Sequence, residues 1–335
     1  MANSRSERKK RRKFRFWRFL VFVIILAIIG GISYYAYDVF YSAKNTTKKI
    51  YQKLDTSKIK NSRAEEPIEI TKDPFTILLV GIENQEGGKG RSDVLMLLTV
   101  NPETKQIDEL SIPRDTRTYI PAADKRTKIT HSYGYGGIEA TIGAVNELID
   151  VPIDYYITTN FQGFEDIVDT LGGVKVDVPF TFKAQLTKSL KWKTYTKGPM
   201  ELNGNEALAY VRMRKSDPRG DFGRNERQKQ VIKAVINKSA SFSSITKVDN
   251  ILDNLGNNVK TNIPPSKMVS FVRLYSQLKD TSLNNLKLKG QDDYINGVYY
   301  YIPDQQSLDE INKTLKNTLE MESPTDTSSG KGENQ

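Results

Sequence analysis

The sequence predicts an α/β fold, in the form of a three-layer α-β-α domain with a central mixed sheet, preceded by a single N-terminal transmembrane helix. Two observations support this prediction: residues 19–37 form an uncharged apolar stretch, and short buried strands alternate with helical periodicity after Pro74. The chain has 335 residues and no cysteine. It is therefore long enough to build a sufficient hydrophobic core, and it must do so without disulfides.

The first element is a membrane segment. Phe19–Tyr37 carries no charged residue, and about 20 apolar residues span the hydrocarbon core of a bilayer. The alternative is a cleaved signal peptide, but the apolar region of a signal peptide would be shorter. In addition, Gly30-Gly31-Ile32-Ser33 resembles a signal-peptidase cleavage site only weakly. Basic residues before the segment predict a cytoplasmic N-terminus. The predicted location is the plasma membrane, single-pass, with the folded domain extracellular.

The net charge of +10 is concentrated at the N-terminus. Residues 1–18 contain nine Lys or Arg and one acid, Glu7, which gives +8 and leaves +2 for the other 317 residues. A basic run beside a membrane segment, instead of on a domain face, argues against nucleic-acid binding. We therefore expect a basic cytoplasmic tail at 1–18 and no nucleic-acid partner.

Composition divides the rest of the chain into three parts. Residues 38–73 are polar and rich in lysine, and they are predicted to form an extracellular stalk. The folded domain is predicted to span residues 74–320. The polar residues 321–335 are predicted to be disordered.

Within the domain, apolar runs predict strands and 3.6-residue periodicity predicts helices. The predicted strands are Phe75–Ile82, Asp93–Val100, Lys105–Ile112, Tyr155–Thr159, Val174–Val178, and segments near Leu286–Leu288 and Val298–Ile302. The predicted helices are Ile138–Ile149, Phe164–Leu171, Asn225–Lys238, Ile245–Leu255, Pro265–Leu278 and Gln306–Leu319. Their alternation indicates the layered α/β domain.

Arginines after Glu201 are spaced in a way that suits an anion. If Tyr210–Arg214 is extended, Arg212 and Arg214 project from the same face. Arg224 and Gln228 are four residues apart and share a face of a helix. Guanidinium groups can grip two phosphate oxygens at once. The alternative is a solvated basic surface.

Two carboxylates flank the first predicted turn. Glu83 lies just past the first strand and Asp93 starts the second, so a hairpin would place both at one end of the ladder. Two hard oxygen ligands suit Mg²⁺, which takes phosphate oxygens and waters for the rest. The alternative is a solvated loop acid and a turn cap. Arg91 is two residues before Asp93 and shares its face if the chain is extended there.

A second group of candidates follows the third strand. Pro113 ends the ladder and exposes Arg114 where ligands of open α/β sheets bind. Asp115 is interpreted as a residue that orients an arginine. Asp221 either caps a helix or holds Arg212 or Arg214 in place. The single histidine, His131, is interpreted as a packing or hydrogen-bonding residue, and the P-loop and G-x-G-x-x-G patterns are absent.

Several motifs, taken in order, resemble the LytR-CpsA-Psr family from about Phe75 to Gln230. They are LLVGIE, GRSDVLMLLTVNPET, LSIPRDT, KITHSYGYGG, NFQGFEDIVDTLGGVKVDVP, LNGNEALAYVRMRK and GDFGRNERQ. The resemblance implies a Mg²⁺ site at Glu83 and Asp93, although the family more commonly has Asp at the position of Glu83. It also implies catalytic and pyrophosphate-binding residues, and carries over less directly to Arg117 and Arg227. The pyrophosphate-binding residues so implied are Arg91, Arg114, Arg212, Arg214 and Arg224, assisted by Asp221 and Gln228. The candidate catalytic residues are Arg91, Arg114, Asp115 and Asp221.

The resemblance implies a phosphotransferase of the cell envelope. It would move an anionic glycopolymer, of teichoic acid or capsular polysaccharide type, from a polyprenyl-pyrophosphate carrier to a peptidoglycan sugar hydroxyl, with Mg²⁺ assistance. Its partners would be that lipid-linked polymer, peptidoglycan and the lipid bilayer. Two alternatives stay open: a polyprenyl-pyrophosphate phosphatase, in which water replaces the sugar, and a membrane-bound regulator, or transcriptional attenuator, of envelope genes.

Overall fold

The computed structural model describes residues 50–59, 63, 68–83, 90–214, 216–240, 258–278, 281 and 283–321. Within these ranges no helix is both long and apolar enough to cross a bilayer. The predicted membrane segment at 19–37 and the predicted helix Ile245–Leu255 lie outside the described residues, as does nearly all of the predicted C-terminal tail.

The strands are β1 (Phe75–Ile82), β2 (Ser92–Asn101), β3 (Gln106–Ser111), β4 (Arg117–Ile120), β5 (Lys125–Lys128), β6 (Tyr155–Asn160), β7 (Val174–Val178), β8 (Phe182–Gln185), β9 (Trp192–Tyr195), β10 (Gly198–Leu202), β11 (Val259–Thr261), β12 (Leu283–Lys287), β13 (Gly290–Ile295) and β14 (Val298–Pro303). The helices are α1 (Ser132–Asn146), α2 (Phe161–Thr170), α3 (Gly204–Arg212), α4 (Asp221–Ala240), α5 (Pro265–Leu278) and α6 (Gln305–Thr318). Of these, β1, β7 and α5 have the predicted bounds.

The central sheet has six strands in the order β11-β6-β1-β2-β3-β12. β1 pairs antiparallel with β2 and parallel with β6, while β3 pairs antiparallel with β2 and parallel with β12. The predicted mixed sheet is thereby confirmed. The remaining strands form four two-stranded sheets: β4–β5, β7–β10, β8–β9 and β13–β14.

Alternate residues of β1 face two helical layers, as the period of two in a strand requires. Leu78 and Val80 are buried in a core that includes Ile138 of α1 and also takes residues of α6. On the other face, the ring of Phe75 packs edge-on against Phe271 of α5, with centroids 5.6 Å apart. Helices therefore lie on both faces of the mixed sheet.

Part of the predicted stalk belongs to the folded domain. Ile50, Leu54 and Ile70 are buried, and Gln52 N donates to Thr261 O of β11 at 2.8 Å. These apolar residues are spaced widely among lysines and threonines, so local composition resembled a linker although the side chains reach the core. The described residues between 50 and 73 correct the predicted domain boundary at residue 74.

Candidate active site

Strand ends bring three of the predicted residues to one edge of the central sheet. β1 and β3 both run antiparallel to β2, so their ends and the start of β2 share that edge. Glu83 follows β1 and donates its backbone N–H to Arg91 O at 3.0 Å, which closes the β1–β2 hairpin. Arg114 follows β3, and its Nη1 lies 3.0 Å from Asp93 Oδ1. The predicted hairpin, with Glu83 and Asp93 at one end, is confirmed.

A β-bulge changes the direction of the chain beside Asp93. The register of β1 against β2 shifts between Gly81 and Ile82, which leaves Asp93 as an extra residue. The bulge breaks the alternation on which the predicted shared face of Arg91 and Asp93 depended. Arg91 is exposed and lines neither of the two cavities described below, which corrects that placement.

Backbone hydrogen bonds fix the loop that carries Arg114. Thr130 N donates to Arg114 O at 3.1 Å, and Tyr301 N donates to Asp115 O at 2.9 Å. The Asp115 carboxylate lies 3.5 Å from Arg114 Nε and 2.6 Å from Lys128 Nζ. Asp115 is therefore placed as expected of a residue that orients an arginine.

The prediction that Tyr210–Arg214 is extended is wrong, because α3 continues to Arg212 and Met213 is its C-cap. Sequence signals favour the helix over the strand. Asn203 and Glu206 form a reciprocal capping box, in which each side chain accepts a hydrogen bond from the backbone N–H of the other residue. Val211 and Met213, whose spacing resembled the alternation of a strand, are buried at the C-terminal end of this helix.

Arg212 and Arg214 consequently line different cavities. Arg212, in the last turn of α3, lies over the ring of Phe161 at 4.5 Å and lines an apolar cavity. Arg214, beyond the helix end, lines a polar cavity. The two side chains do not act from one strand face, as the sequence-based interpretation had it.

α4 places two further candidates as predicted. Arg224 and Gln228 are one helical turn apart, and both line the apolar cavity. Arg224 is buried, with 9% of its surface exposed. Asp221 is the first residue of the helix, and the role of its side chain stays a prediction.

Arg227, which the resemblance carried over less directly, is a structural residue. It is 1% exposed, and its Nε donates to Tyr210 O at 3.1 Å while Nη2 donates to Met213 O. These carbonyls end α3, so a side chain of α4 satisfies them. Nη1 donates to the buried carboxylate of Asp217. A Cβ at Gly223 would overlap that carboxylate, which explains the glycine in the first turn of α4.

The apolar cavity, of about 680 Å³, lies between the central sheet and helices α2 to α5. Its sheet wall includes the alternate β1 residues Phe75, Ile77 and Leu79, with further residues from β2, β3 and β6. From Phe75 to Glu83 a strand extends about 26 Å. The polar edge is formed by Glu83, Asp93, Arg114, Arg212, Arg224 and Gln228. The lining of this apolar slot could not be predicted from the sequence, because its walls combine residues of β1, β2, β3, β6 and β12 with residues of helices α2 to α5.

The polar cavity, of about 600 Å³, shares Arg114 and Arg224 with the apolar one. It adds residues that the sequence-based interpretation missed: Lys128, Arg219, Asn225, Asp292, Tyr294 and Tyr299. Across both cavities the cationic side chains outnumber the carboxylates by seven to four, among the residues described. Crowded cations of this kind suit a polyanionic ligand, since phosphate accepts charge-assisted hydrogen bonds from guanidinium groups.

Arg117 and His131 lie outside both cavities. The guanidinium of Arg117 lies over the ring of Tyr300 at 5.9 Å. His131 Nδ1 is 3.1 Å from Thr127 Oγ1. Burial lowers the pKa of His131 below its ordinary value, and the nearby charge of Arg91 lowers it further. His131 is thus the hydrogen-bonding residue that was predicted.

Glu83 and Asp93 provide two carboxylates at the edge of one cavity. The described part of the chain contains no cluster of three or more Asp, Glu, His or Cys that could hold a metal ion. A pair of carboxylates beside arginines fits Mg²⁺ better than a metal that needs a full protein cage, because Mg²⁺ keeps waters and accepts phosphate oxygens. The donor set therefore fits the implied ion.

Comparisons with known proteins agree with one another. The LytR_cpsA_psr family model matches residues 37–317. The polyisoprenyl-teichoic acid–peptidoglycan teichoic acid transferase TagU of Bacillus subtilis (strain 168) is 43% identical over 290 residues, which are 87% of this chain and 92% of TagU. The crystal structure of B. subtilis TagV is 42% identical with a TM-score of 0.67, over 74% of this chain and 98% of that one. A structure of TagT bound to LI-WTA is 36% identical with a TM-score of 0.66, over 81% of this chain and 100% of that one.

Proposed function

Because the chain belongs to the LytR_cpsA_psr family, we propose that it is a polyisoprenyl-teichoic acid–peptidoglycan teichoic acid transferase. Its relatives TagU and TagV carry that activity in their names. The donor is an anionic glycopolymer on a polyprenyl-pyrophosphate carrier, and the acceptor is a peptidoglycan sugar hydroxyl.

The observation that supports this proposal is the apolar cavity with a charged edge. A polyprenyl chain requires a long apolar slot, and the slot between β1 and helices α2 to α5 has that character. A pyrophosphate requires cations at the mouth of the slot, where Arg114, Arg212 and Arg224 lie. One cavity can therefore bind both parts of the donor, the polyprenyl chain in its apolar interior and the pyrophosphate at its charged edge.

In the proposed reaction, a sugar hydroxyl oxygen attacks the phosphorus next to the polymer. The bond from that phosphorus to the bridging oxygen breaks, and polyprenyl phosphate leaves with the electron pair and a proton. Transfer of this kind depends on alignment and on neutralising charge. Arg114 and Arg224 line both cavities, which supports assigning them to bind the phosphates. Asp115 and Asp93 hold the Arg114 guanidinium in position.

Product analysis with and without acceptor tests the proposal. The full-length chain in detergent would receive a polyprenyl-pyrophosphate-linked teichoic acid, either alone or with peptidoglycan. We expect polymer linked covalently to peptidoglycan, and release of polyprenyl phosphate that depends on the acceptor. Acceptor-independent release of free polymer phosphate would instead identify a phosphatase. If neither product forms, the proposal that the chain is an enzyme is wrong.

Mg²⁺ is part of the proposal, with Glu83 and Asp93 as its protein ligands. When bound, the ion would neutralise charge on the phosphates. We expect Asp93→Ala to weaken Mg²⁺ binding at least about tenfold, since one of two charged ligands is lost. Unfolding temperature should change little, because Asp93 lies in a surface bulge and not in a core. Glu83→Asp should be tolerated and Glu83→Ala should not.

The measurements are a Mg²⁺ binding isotherm in the presence of donor and a melting curve. Glu103→Ala, which removes an exposed acid from a distant turn, is the matched control. Normal Mg²⁺ affinity in Asp93→Ala would contradict the ligand assignment.

Filling the apolar cavity should exclude the lipid. Leu79 points from β1 into the slot, so Leu79→Trp adds a ring where the polyprenyl chain would lie. We expect the purified variant to lose co-purifying polyprenyl lipids, measured by mass spectrometry, while it retains a cooperative melting curve. Leu190→Trp, at a site that is 67% exposed, is the control for added bulk. Equal lipid content in the two variants would mean that the slot is not the lipid site.

A membrane anchor at Phe19–Tyr37 is also part of the proposal, with the N-terminus in the cytoplasm and the domain outside. Its support is the uncharged stretch behind nine basic residues. We expect protease added to intact protoplasts to remove the domain and leave a short cell-associated fragment. Full protection of the domain would contradict this topology.

A further inference from the structure

The polar cavity lies where the attacking group must enter. In phosphoryl transfer the attacking and leaving oxygens lie roughly in line on opposite sides of the phosphorus. If the leaving polyprenyl phosphate occupies the apolar cavity, the attacking hydroxyl comes from the cavity on the other side of the shared residues Arg114 and Arg224. This argument rests on the proposed transferase function.

Besides its cationic side chains, the polar cavity is lined by tyrosines and a carboxylate, which a site for phosphate alone would not need. The β13–β14 hairpin contributes Tyr294, which is 70% exposed, and Tyr299, whose ring lies edge-on to it with centroids 5.6 Å apart. Tyr299 Oη donates to Asp292 Oδ1 at 2.8 Å. Tyrosine supplies a rigid apolar surface with a polar tip, and a carboxylate accepts hydrogen bonds from hydroxyl groups while it repels phosphate.

These properties match a sugar ring, which has apolar C–H faces and hydroxyl groups around its edge. The Asp292 carboxylate can accept hydrogen bonds from the hydroxyl groups of a glycan strand, whereas ionised phosphates have no hydrogen to donate to it. Lys128, with its Nζ 5.5 Å from the centre of the Tyr299 ring and 2.6 Å from Asp115 Oδ1, links the tyrosines to the loop of Arg114.

The hairpin is held in a fixed position relative to that loop. Tyr301 N donates to Asp115 O at 2.9 Å, and Thr116 forms an isolated β-bridge with Tyr301. The buried Tyr301 ring is anchored through Oη, which donates to Leu288 O at 2.8 Å. A sugar stacked on Tyr294 would therefore lie at a fixed position relative to the loop of Arg114, because β13 pairs with β14 and β14 is hydrogen-bonded to that loop.

We propose that the polar cavity is the acceptor subsite: it binds the peptidoglycan glycan strand, with Tyr294 as a stacking platform and Asp292 as an acceptor for sugar hydroxyls. Tyr294 acts on the acceptor alone, and the donor does not depend on it.

The test uses the full-length chain in detergent with a soluble, lipid-free peptidoglycan oligosaccharide as acceptor. We expect Tyr294→Ala to raise the acceptor KM, and the Kd of the oligosaccharide alone, by about tenfold. The Kd of the lipid-linked donor should not change. Tyr294→Phe keeps the ring and should restore most of the acceptor affinity. Trp192→Ala removes another exposed hairpin aromatic, 67% exposed, and serves as the matched control.

Unchanged acceptor KM and Kd in Tyr294→Ala would overturn the inference, and so would the same loss in Trp192→Ala. A weaker donor affinity would overturn it too, because the cavity would then hold the donor. If the unmodified chain binds the oligosaccharide through Tyr294 but links no polymer to it, the proposed transferase function fails while the subsite stands.

Discussion

Arg114→Ala should lower the rate of polymer transfer by about two to three orders of magnitude, which is the usual effect of removing one positioned charge donor from a transition state. Arg114 lines both cavities, so it would contact the phosphates from the side of the donor lipid and from the side of the acceptor. Arg114→Lys keeps the charge without the planar fork and should recover only part of the rate. The measurement is single-turnover transfer from the lipid-linked donor, with donor saturating.

The control for Arg114→Ala is Arg126→Ala, which removes an exposed arginine from β5. It should transfer polymer at close to the normal rate. Melting curves accompany both variants, because Asp93 and Asp115 lose a partner when Arg114 is removed. Asp115 keeps Lys128 at 2.6 Å, so we expect only a small loss of stability. A normal transfer rate in a folded Arg114→Ala protein would show that Arg114 does not contribute to the reaction.

Arg227→Met should destabilise the domain by about 3–5 kcal/mol, because it leaves the buried Asp217 carboxylate without its main partner. It also leaves Tyr210 O and Met213 O without the donors that end α3. The expected fall in melting temperature is about 10 °C. Arg219→Met removes a half-exposed arginine 3.8 Å from the same carboxylate, and it should cost less than about 1 kcal/mol.

Acid unfolding provides a second readout for the same ion pair. Burial acts to raise the pKa of Asp217, but hydrogen bonds from the Arg219 backbone and the Arg227 side chain outweigh it and hold the pKa below its ordinary value. The resulting stability is fully present above the ordinary carboxyl pKa of about 3.9 and is lost as the pH falls through the lower folded-state value. Arg227→Met should flatten this dependence. Equal stability of Arg227→Met and the unmodified chain would mean that the pair contributes nothing.

Local signals predicted the elements that are set by local sequence. The uninterrupted apolar run Phe75–Ile82 predicted β1 to the residue, because a strand buried on both faces needs no polar alternation. Tyr210–Arg214 was misread because a two-residue apolar interval also fits the end of an amphipathic helix, and the capping box at Asn203 and Glu206 was the deciding signal. The bulge at Asp93 has no signature in the residues themselves, since it depends on the pairing of two strands.

Of the β13–β14 hairpin, the second strand was predicted near Val298–Ile302, but β13 was missed although the sequence contains the turn between the two strands. Asn296-Gly297 separates β13 from β14, and both residues have positive φ, 51° and 75°, as a type I′ turn requires. That pair predicts a hairpin, but no local feature predicts its packing against Asp115. Arg219 and Lys128 were missed for the same reason: a lysine or arginine on a loop is ordinary, and only the fold brings these two to one cavity.

The residues around Arg114 depend on segments from both ends of the folded domain, so the candidate site can form only after the C-terminal segment has folded. β12 completes the sheet by pairing in parallel with β3, and Asn284 Nδ2 donates to Asp108 Oδ1 across 176 residues of chain. Until β12 arrives, β3 is an open edge that can pair with other chains, and contacts so distant in sequence form slowly. A chain that emerges N-terminus first therefore carries Arg114 on an unfinished loop until its last fifty or so residues have docked. We therefore expect a truncated or stalled chain to lack the complete site as well as to be less stable.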